Sequence, residues 1–286
     1  MSILLKIRGS RDSLTQSEIK ISDYILSNKE EVINLSAQNL AKNSNTSPAS
    51  VIRFSKKLGY SGFNEMKVDL IKDITTRKTL DVDNIYEDIT INDSIDQVIE
   101  KLEYENIDVI KNTVKLLDKD EIQKAVNCII NSKKIYIFGV GASGLVAKDL
   151  QYKLMRIKKM AMFEFDSHTQ LSLSANMEKD DVAIGISYSG RTLETFKALE
   201  QAKSKGACTI SITNFGKNPL SDISDINIFI AGREQKVRVG AITSRIAQLI
   251  AIDVIFVAIS KNNFELTSNY IKNTRNIVEE LKINKK

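Results

Sequence analysis

Two short polar segments carry side chains suited to binding a small anion. The first is GVGASG at residues 139–144, and the second is SYSGRT at residues 187–192. Each follows an apolar run of strand length and precedes a helical pattern. Backbone N–H groups at a helix amino terminus attract anions, and hydroxyls donate hydrogen bonds without adding a permanent charge. We therefore predict that the two segments together hold one phosphate group and hydroxyls of a sugar attached to it.

The first segment also permits a different ligand. Its spacing is Gly-x-Gly-x-x-Gly between a strand and a helix, and Glu164 and Asp166 follow about twenty residues later, as in dinucleotide-binding proteins. A nicotinamide dinucleotide site does not need the second hydroxyl-rich segment. A dinucleotide-binding protein using Gly139–Gly144 therefore remains an alternative to the phosphosugar site.

The elements around these segments alternate between strands and helices. The strand-like runs are KIYIFG, MAMFEF, DVAIGIS, ACTISIT and INIFIA, and helical stretches at 145–157 and 193–204 lie between them. Such alternation predicts an α/β fold with a doubly wound, parallel, five-stranded sheet covered by helices on both faces. Ligands of such sheets bind beyond the carboxyl ends of the strands, where both polar segments fall.

The amino-terminal part has a helical pattern instead. Thr15 and Glu18 form a capping box at the start of one helix, and residues 35–42 suit a helix of two turns. After the polar turn 43–46, Ser47 and Pro48 predict a second helix start, and Gly59 predicts its end. Two short helices joined by a four-residue turn predict an α-helical amino-terminal helix-turn-helix domain.

The second of these helices has a basic face. Val51, Phe54 and Leu58 share the apolar side, and no acidic residue occurs between Glu31 and Glu65 to repel a phosphate backbone. We expect double-stranded DNA to be bound by the turn and the polar face, through Thr46, Ser47, Ser50, Arg53, Lys56 and Lys57. A small helical bundle with a solvated basic face is the alternative.

The charge distribution suggests where the domains divide. Residues 1–77 contain 12 Lys or Arg against 8 Asp or Glu, residues 78–107 contain 2 against 9, and residues 108–286 contain 27 against 19. We predict a helix-turn-helix domain at 1–77, an acidic linker at 78–107 that is helical from about Ser94, and a ligand-binding domain at 108–286.

Other features exclude several classes of protein. His168 is the sole histidine, so a zinc site or a Ser-His-Asp triad is difficult to build. The start shows no signal peptide, and the longest apolar run, Ile246–Ile259, is interrupted by polar residues and too short to cross a membrane. Cys128 and Cys208 are far apart in the sequence and suit unpaired thiols in a reducing compartment. We therefore expect a cytoplasmic protein without metal, cofactor or membrane contact.

At the level of motifs, both halves resemble known domains. GVGASG, SYSGRT and the later ITSRIAQLIAIDVIF resemble the sugar isomerase (SIS) domain that binds phosphosugars. SPASVIRFSKKLGYSGFNEMK resembles the helix-turn-helix of the RpiR family of bacterial transcription regulators. The two resemblances cover about residues 12–75 and 130–260. They imply a regulator of sugar metabolism, a homodimer or tetramer, whose affinity for operator DNA is controlled by a bound phosphosugar.

The resemblance also implies roles for individual residues. The phosphosugar-binding group would comprise Gly141, Ser143, Ser187, Ser189, Gly190, Arg191, Thr192 and Glu234. The family usually has Glu where Arg191 stands, so this cation either strengthens phosphate binding or pairs with Glu194. SIS isomerases carry a proton-transferring glutamate at the position of Glu234. A phosphosugar isomerase using Glu234 as base and His168 as acid is thus the enzymatic alternative. We expect Glu234 to bind a sugar hydroxyl without catalysis, because a metabolic isomerase has no use for a DNA-reading domain.

Overall fold

The computed structural model describes residues 3–78, 93–232 and 241–279, together with residue 281. The chain separates into two compact units. The first comprises residues 1–108 with the short segment 215–217, and the second comprises residues 109–214 and 218–286.

Helices make up the regular structure described in the first unit. They are α1 (Ile3–Gly9), α2 (Gln16–Ser27), α3 (Lys29–Val32), α4 (Ala37–Asn43), α5 (Pro48–Lys57), α6 (Phe63–Lys78) and α7 (Ile95–Leu116), with a short 3₁₀ helix at Arg11–Ser13. Helix α7 matches the helix predicted from about Ser94, and its last residues belong to the second unit.

A single apolar cluster holds the first unit together. Its fully buried members include Ile7, Ile21, Leu40, Phe54 and Met66, contributed by five different helices. Helix α1 was not predicted from the sequence. Its apolar residues are too few to define a period, yet it contributes two further buried isoleucine and leucine side chains to this cluster. Burial of such side chains in one cluster is the main stabilising contribution to a small helical unit.

The caps predicted from the sequence are present. The Thr15 N–H donates to Glu18 Oε2 over 2.8 Å, completing the capping box of α2. Ser47 Oγ accepts from the Ser50 N–H over 3.2 Å at the start of α5, where Pro48 is the first helical residue. Gly59 follows α5 with a φ of +88°, a left-handed conformation that glycine adopts without strain. These caps define the ends of the helix-turn-helix, which confirms the predicted amino-terminal fold.

The second unit alternates strands and helices. The strands are β1 (Ile135–Phe138), β2 (Ala161–Met162), β3 (Val182–Ile186), β4 (Cys208–Asn214) and β5 (Ile226–Ile230). The helices are α8 (Lys119–Asn131), α9 (Ala142–Arg156), α10 (Ser167–Ala175), α11 (Leu193–Ser204), α12 (Pro219–Ile223), α13 (Ile242–Asn262) and α14 (Phe264–Glu279).

The described strands form one parallel sheet in the order β2-β1-β3-β4-β5. Helices α8, α9 and α13 pack together on one face, and α10, α11 and α12 pack together on the other. The predicted doubly wound, five-stranded fold is confirmed. In this strand order the chain leaves β1 and β3 toward opposite sides, so a crevice opens between their carboxyl ends.

Sheet register explains which residues form the centre of this unit. Ile137 of β1 pairs with Ile184 of β3, which pairs with Ile210 of β4, and Ile210 pairs with Ile226 of β5. All four isoleucines are buried. The edge strand β2 is shorter than the apolar run MAMFEF suggests, since it has a single neighbour and pairs with β1 through two residues only.

Candidate functional site

The two polar segments lie side by side at the carboxyl edge of the sheet. Strands β1 and β3 are hydrogen-bonded neighbours, so the loops that follow them, 139–141 and 187–192, leave the same edge. A Cβ added to Gly139 would lie 3.2 Å from the Ile186 carbonyl oxygen, which shows how closely the first loop approaches the end of β3. The sequence-predicted juxtaposition of the two segments is therefore present.

The first loop leads directly into α9. Gly141 has a φ of +61° and stands immediately before the helix, with its carbonyl accepting from the Gly144 N–H over 3.0 Å. Ala142 and Ser143 occupy the first turn of α9, where backbone N–H groups have no intrahelical acceptor. This turn therefore presents N–H donors and the partly exposed Ser143 hydroxyl at the crevice.

A buried amide positions the Ser143 hydroxyl. Gln248 of α13 is 1% exposed, and its Nε2 donates to Ser143 Oγ over 2.9 Å. Because the amide nitrogen has no lone pair to offer, the serine oxygen acts as acceptor and its own proton is left to donate elsewhere. At the sequence level Gln248 stood out only as a polar interruption of an apolar run.

A second buried amide fixes the start of the same loop. Gln170 of α10 accepts from the Gly139 N–H over 3.1 Å and donates to the Gly139 carbonyl over 3.0 Å. It donates also to the Glu164 carbonyl over 2.7 Å. One side chain thus satisfies both backbone groups of Gly139, and the loop geometry does not depend on a ligand.

In the second loop, hydroxyls are paired with one another. Ser187 Oγ and Thr192 Oγ1 lie 3.0 Å apart, and the Arg191 N–H donates to Ser189 Oγ over 3.3 Å. Thr192 stands at the amino-terminal cap of α11 without a side-chain capping bond, because its hydroxyl contacts Ser187 instead. In the Ser187–Thr192 pair one hydroxyl donates to the other, so one proton stays available for an anion in the crevice.

Asn218 braces this loop from the side. Gly190 has a φ of +65°, and a Cβ added there would lie 2.0 Å from Asn218 Oδ1. The Gly190 carbonyl accepts from the Leu220 N–H over 3.1 Å, and the Tyr188 carbonyl accepts from the Asn214 N–H over 2.8 Å. The backbone conformation and the close approach both require glycine at position 190. The chain following β4 therefore holds the loop in place, a contribution that the sequence did not indicate.

The predicted ligand-binding residues differ in exposure. Ser187 and Gly190 are buried, Ser143, Ser189 and Thr192 are partly exposed, and Gly141 and Arg191 are exposed. Glu234 lies outside the described residues, between residues 232 and 241. The role of each as a ligand remains a prediction.

His168 and Asp166, named for the isomerase and dinucleotide alternatives, both lie at the start of α10. His168 is exposed in the first turn of α10, and Asp166 caps that helix by accepting from the Thr169 N–H over 2.7 Å. That backbone hydrogen bond, with one from the Thr169 hydroxyl, lowers the pKa of Asp166. Within the described ranges, no group of three His, Cys, Asp or Glu residues is arranged to hold a metal ion.

The candidate nucleic-acid interface consists of α4, α5 and the turn between them. Arg53 and Lys56 are exposed on α5, opposite the fully buried Val51 and Phe54. Ser47 is exposed at the cap. These positions agree with a solvent-facing basic surface on the second helix.

The other predicted DNA contacts are Ser50, Lys57 and Thr46. Each has a partner within the protein, as does Arg53, whose Nη2 donates to Ser50 Oγ over 3.3 Å. Ser50 is buried, with its hydroxyl 3.0 Å from Ser47 Oγ, so it does not lie on the solvent-facing side as predicted. Ser50 lies one turn after the N-cap Ser47 and contacts it. A helical wheel places Ser50 on the polar side of α5 but does not show this contact. Lys57 Nζ lies 2.9 Å from Glu18 Oε2 and also donates to the Ser13 carbonyl, linking α5 to the start of α2. Thr46 is partly exposed, with its hydroxyl 2.9 Å from Ser44 Oγ.

Comparison with known proteins identifies two domains in the chain. The profile described as the helix-turn-helix domain of the rpiR family matches residues 1–77, and that of the SIS domain matches residues 128–258. An HTH-type transcriptional regulator of Caldanaerobacter subterraneus is 39% identical over 99% of both chains. The HTH-type transcriptional regulator YbbH of Bacillus subtilis is 35% identical over 97% of both chains.

Among solved structures, the Vibrio vulnificus NanR protein, complexed with ManNAc-6P, matches along the whole length. It has a TM-score of 0.64 and 26% identity, covering 99% of this chain and 100% of that one. The sugar isomerase domain of an RpiR transcription factor from Sphaerobacter thermophilus has a TM-score of 0.58 and 19% identity, covering 63% of this chain and 99% of that one. The second similarity is one of fold.

Proposed function

Because this chain belongs to the rpiR family of helix-turn-helix transcriptional regulators, we propose that a phosphosugar bound to its SIS domain controls its affinity for operator DNA. The chain is a transcriptional regulator with an HTH and a SIS domain. The proposal adds the ligand, its residues and its effect on DNA binding.

One observation carries the phosphosugar proposal: two hydroxyl-bearing loops meet at the carboxyl ends of the adjacent strands β1 and β3. Each loop leads into a helix of at least three turns, α9 or α11, whose amino-terminal N–H groups attract an anion. Ser143, Ser187, Ser189 and Thr192 would donate hydrogen bonds to the phosphate, and Arg191 would add the positive charge. The relative NanR was solved with a phosphosugar, ManNAc-6P.

DNA recognition is proposed for the exposed surface of α4 and α5. Arg53 and Lys56 face solvent, and the acid-free stretch between Glu31 and Glu65 leaves phosphate groups unopposed. Ser47 adds an exposed hydroxyl at the cap of the second helix. We propose that Lys57 stabilises the fold rather than contacting DNA, because Glu18 and the Ser13 carbonyl already bind its ammonium group.

We propose further that the protein is a homodimer or tetramer. Leu145, Tyr152 and Met155 of α9 share one side of that helix and are each more than half exposed. Helix α13 contains an 18-residue stretch with a mean hydropathy of 1.9, and only 39% of that stretch is buried. A helix that is apolar on all sides needs a further apolar partner. A second copy of the chain would cover this surface, and a symmetric dimer suits a palindromic operator.

The apolar character of α13 also bears on localisation. The apolar run within it was predicted to be too short to cross a membrane, but the whole helix, Ile242–Asn262, is long and apolar enough to do so by length and composition. Yet Gln248 in its first half bonds Ser143, and Asp253 pairs with Lys153 of α9, so two of its polar groups are committed to the protein. We propose a cytoplasmic protein in which α13 belongs to the core and the subunit interface. Light scattering of purified protein without detergent would give a dimer or tetramer mass, and Tyr152→Glu would reduce it to that of a monomer.

The isomerase alternative has less support than the regulator. The relatives that match the whole chain are named transcriptional regulators, whereas a solved protein described as a putative sugar-phosphate isomerase is 22% identical and shares the fold alone. We propose that the chain binds a phosphosugar without converting it.

A thermal-shift screen tests the proposal. The panel contains sugar phosphates including ManNAc-6P, the same sugars without phosphate, NAD and NADP. We expect one sugar phosphate to raise Tm and its unphosphorylated form to leave Tm unchanged, because binding to the folded state stabilises it by mass action. Stabilisation by NAD or NADP, with none by any sugar phosphate, would support the dinucleotide alternative instead. A gel-shift assay on DNA selected from a random library then shows whether the stabilising ligand changes DNA affinity.

A further inference from the structure

The two cysteines of this chain lie against each other, although 80 residues separate them in the sequence. Cys128 lies in the last turns of α8, and Cys208 is the first residue of β4. Their Sγ atoms are 2.8 Å apart, and the Cys208 thiol donates toward Cys128 Sγ. Both are free thiols and both keep partial solvent exposure.

The surrounding elements are held firmly in this position. Helix α8 packs against β5, and Glu121 of α8 accepts from the Asn227 N–H of β5 over 2.9 Å. On the strand side, the Cys208 N–H donates to the Asp181 carbonyl over 3.2 Å, and Thr209 bonds Asp225 through both its N–H and its hydroxyl. Because these contacts hold both α8 and the start of β4, the pairing of the two cysteines is a property of the fold rather than of two mobile side chains.

We propose that Cys128 and Cys208 form a reversible intramolecular disulfide when the protein meets a low-molecular-weight disulfide. A disulfide bond is about 2.05 Å long, so the sulfurs need to approach by only about 0.8 Å. Side-chain rotation supplies a movement of this size, whereas cysteines on distant elements need the backbone to move.

The reaction is a pair of thiol–disulfide exchanges. Cys128 loses its proton and its sulfur attacks one sulfur of the small disulfide R–S–S–R, which releases one thiolate. Cys208 then loses its proton and attacks the Cys128 sulfur of the mixed disulfide, which releases the second thiolate. The two protein thiols give up two electrons and two protons, and the small disulfide takes them up as two thiols.

The order of attack follows from the environments of the two sulfurs. Burial, together with the hydrogen bond to Cys128 and the nearby Asp225, raises the pKa of the Cys208 thiol. A raised pKa makes the Cys208 thiolate scarce at neutral pH, so the first attack on the small disulfide falls to Cys128. Cys208 therefore acts second, once the mixed disulfide places a leaving group beside it.

The site is remote from the candidate ligand loops. Cys208 begins β4 at the amino-terminal edge of the sheet, whereas the loops follow the carboxyl ends of β1 and β3. A strand of five to seven residues spans roughly 17–23 Å. The disulfide would therefore act on the stability of the second unit and not through a contact with the ligand.

The experiment uses the full-length protein and oxidised glutathione. We expect the intact mass to fall by two hydrogen atoms, peptide mapping to join the peptides containing Cys128 and Cys208, and dithiothreitol to reverse both changes. Closing so long a loop restricts the unfolded chain, so Tm should rise on the order of 5–10 °C. The control variants Cys128→Ser and Cys208→Ser should show no loss of hydrogen and no rise in Tm.

Several results would overturn the inference. A wild-type chain that carries one or two glutathione adducts, stays fully reduced, or forms covalent dimers on a non-reducing gel would mean that the two sulfurs do not react with each other. An internal disulfide that lowers Tm would mean that bond formation distorts the fold and that the pair is not prearranged. These readouts need no phosphosugar or DNA, so they are independent of the proposed regulatory function.

Discussion

Gln248 donates a hydrogen bond to Ser143 over 2.9 Å, joining the first half of α13 to the first turn of α9. The two residues are 105 positions apart, and the glutamine is almost completely buried. Because an amide nitrogen can only donate, this contact occupies the serine oxygen as an acceptor and leaves the serine proton to donate to another group. The contact gives a distant helix influence over the candidate ligand site.

Replacing Gln248 with Met tests this influence. Methionine fills a similar volume but cannot hold the Ser143 oxygen, so we expect affinity for the sugar phosphate found in the thermal-shift screen to fall about 3- to 10-fold. Isothermal titration measures the affinity. Gln123→Met, on the exposed surface of α8, serves as control and should bind as the wild type does. Equal affinities in both variants would show that Gln248 only fills space.

Ser189→Ala removes one of the proposed phosphate ligands. Losing a charge-assisted hydrogen bond costs on the order of 1.5–3 kcal/mol, so ligand affinity should fall roughly 10- to 100-fold while DNA binding is retained. Calorimetry and gel shifts on the same preparation measure the two properties. The exposed Ser172→Ala is a matched control outside the two loops. A lower Tm with unchanged ligand affinity would instead assign Ser189 to the support of the turn, where it accepts from the Arg191 N–H.

The basic side chains of α5 should differ in their effects: two should contribute to DNA binding and one to stability. Arg53→Ala and Lys56→Ala should each weaken DNA binding. Loss of a base contact should cost about 1–3 kcal/mol, whereas loss of a phosphate contact should reduce the slope of log affinity against log salt concentration by about one. Neither should change Tm, because both side chains are exposed. Lys57→Ala should lower stability by about 0.5–1 kcal/mol through loss of its contact with Glu18.

Gel shifts at several salt concentrations, together with thermal unfolding, distinguish these effects. Lys272→Ala, an exposed lysine of α14 in the other unit, controls for the loss of one positive charge. If Arg53→Ala and Lys56→Ala both bind DNA with unchanged affinity and salt dependence, α5 is not the reading helix.

We expect Glu18 to make the stability of the first unit depend on pH in the acidic range. Burial alone would raise the pKa of this carboxyl, but hydrogen bonds from the Thr15 N–H, the Lys57 ammonium and the Thr15 hydroxyl outweigh it and lower the pKa below its ordinary value of 4.5. A carboxyl whose pKa is lower in the folded state than in the unfolded state stabilises the fold. This stabilisation is complete above the unfolded-state pKa and is lost as the pH falls through the folded-state pKa. We therefore expect the free energy of unfolding to decrease below about pH 4.5.

Urea unfolding of wild type and Glu18→Gln between about pH 3 and pH 6 measures this contribution. The variant should be less stable than wild type at the upper end, and the difference should shrink as the pH falls. Glu178→Gln, an exposed carboxylate in the second unit, is the control. A difference between wild type and Glu18→Gln that stays constant over this range would contradict the role assigned to the hydrogen bonds.

Much of the architecture was determined by local sequence. Several helix ends depend only on residues within one or two turns and can therefore be predicted from the sequence. They are the capping box of Thr15 and Glu18, the start of α5 at Ser47-Pro48 and its end at Gly59. The alternation of apolar runs and helices predicted the parallel sheet for the same reason. The two polar segments were located by their position after strands.

Only the tertiary structure decided what supports and surrounds those segments. Gln170, Gln248 and Asn218 each contact a loop from elsewhere in the chain, and nothing in the local sequence of the two glutamines distinguishes them from ordinary polar residues. The Asn218-Pro219 pair marks the start of α12 but does not indicate that Asn218 lies against Gly190. Packing of α10 and α13 places Gln170 and Gln248 beside the loop after β1, and packing of α8 places Cys128 beside Cys208. The physical reason is that caps and periodicity are set by neighbours along the chain, whereas hydrogen-bond and thiol partners are set by how separate elements pack against each other.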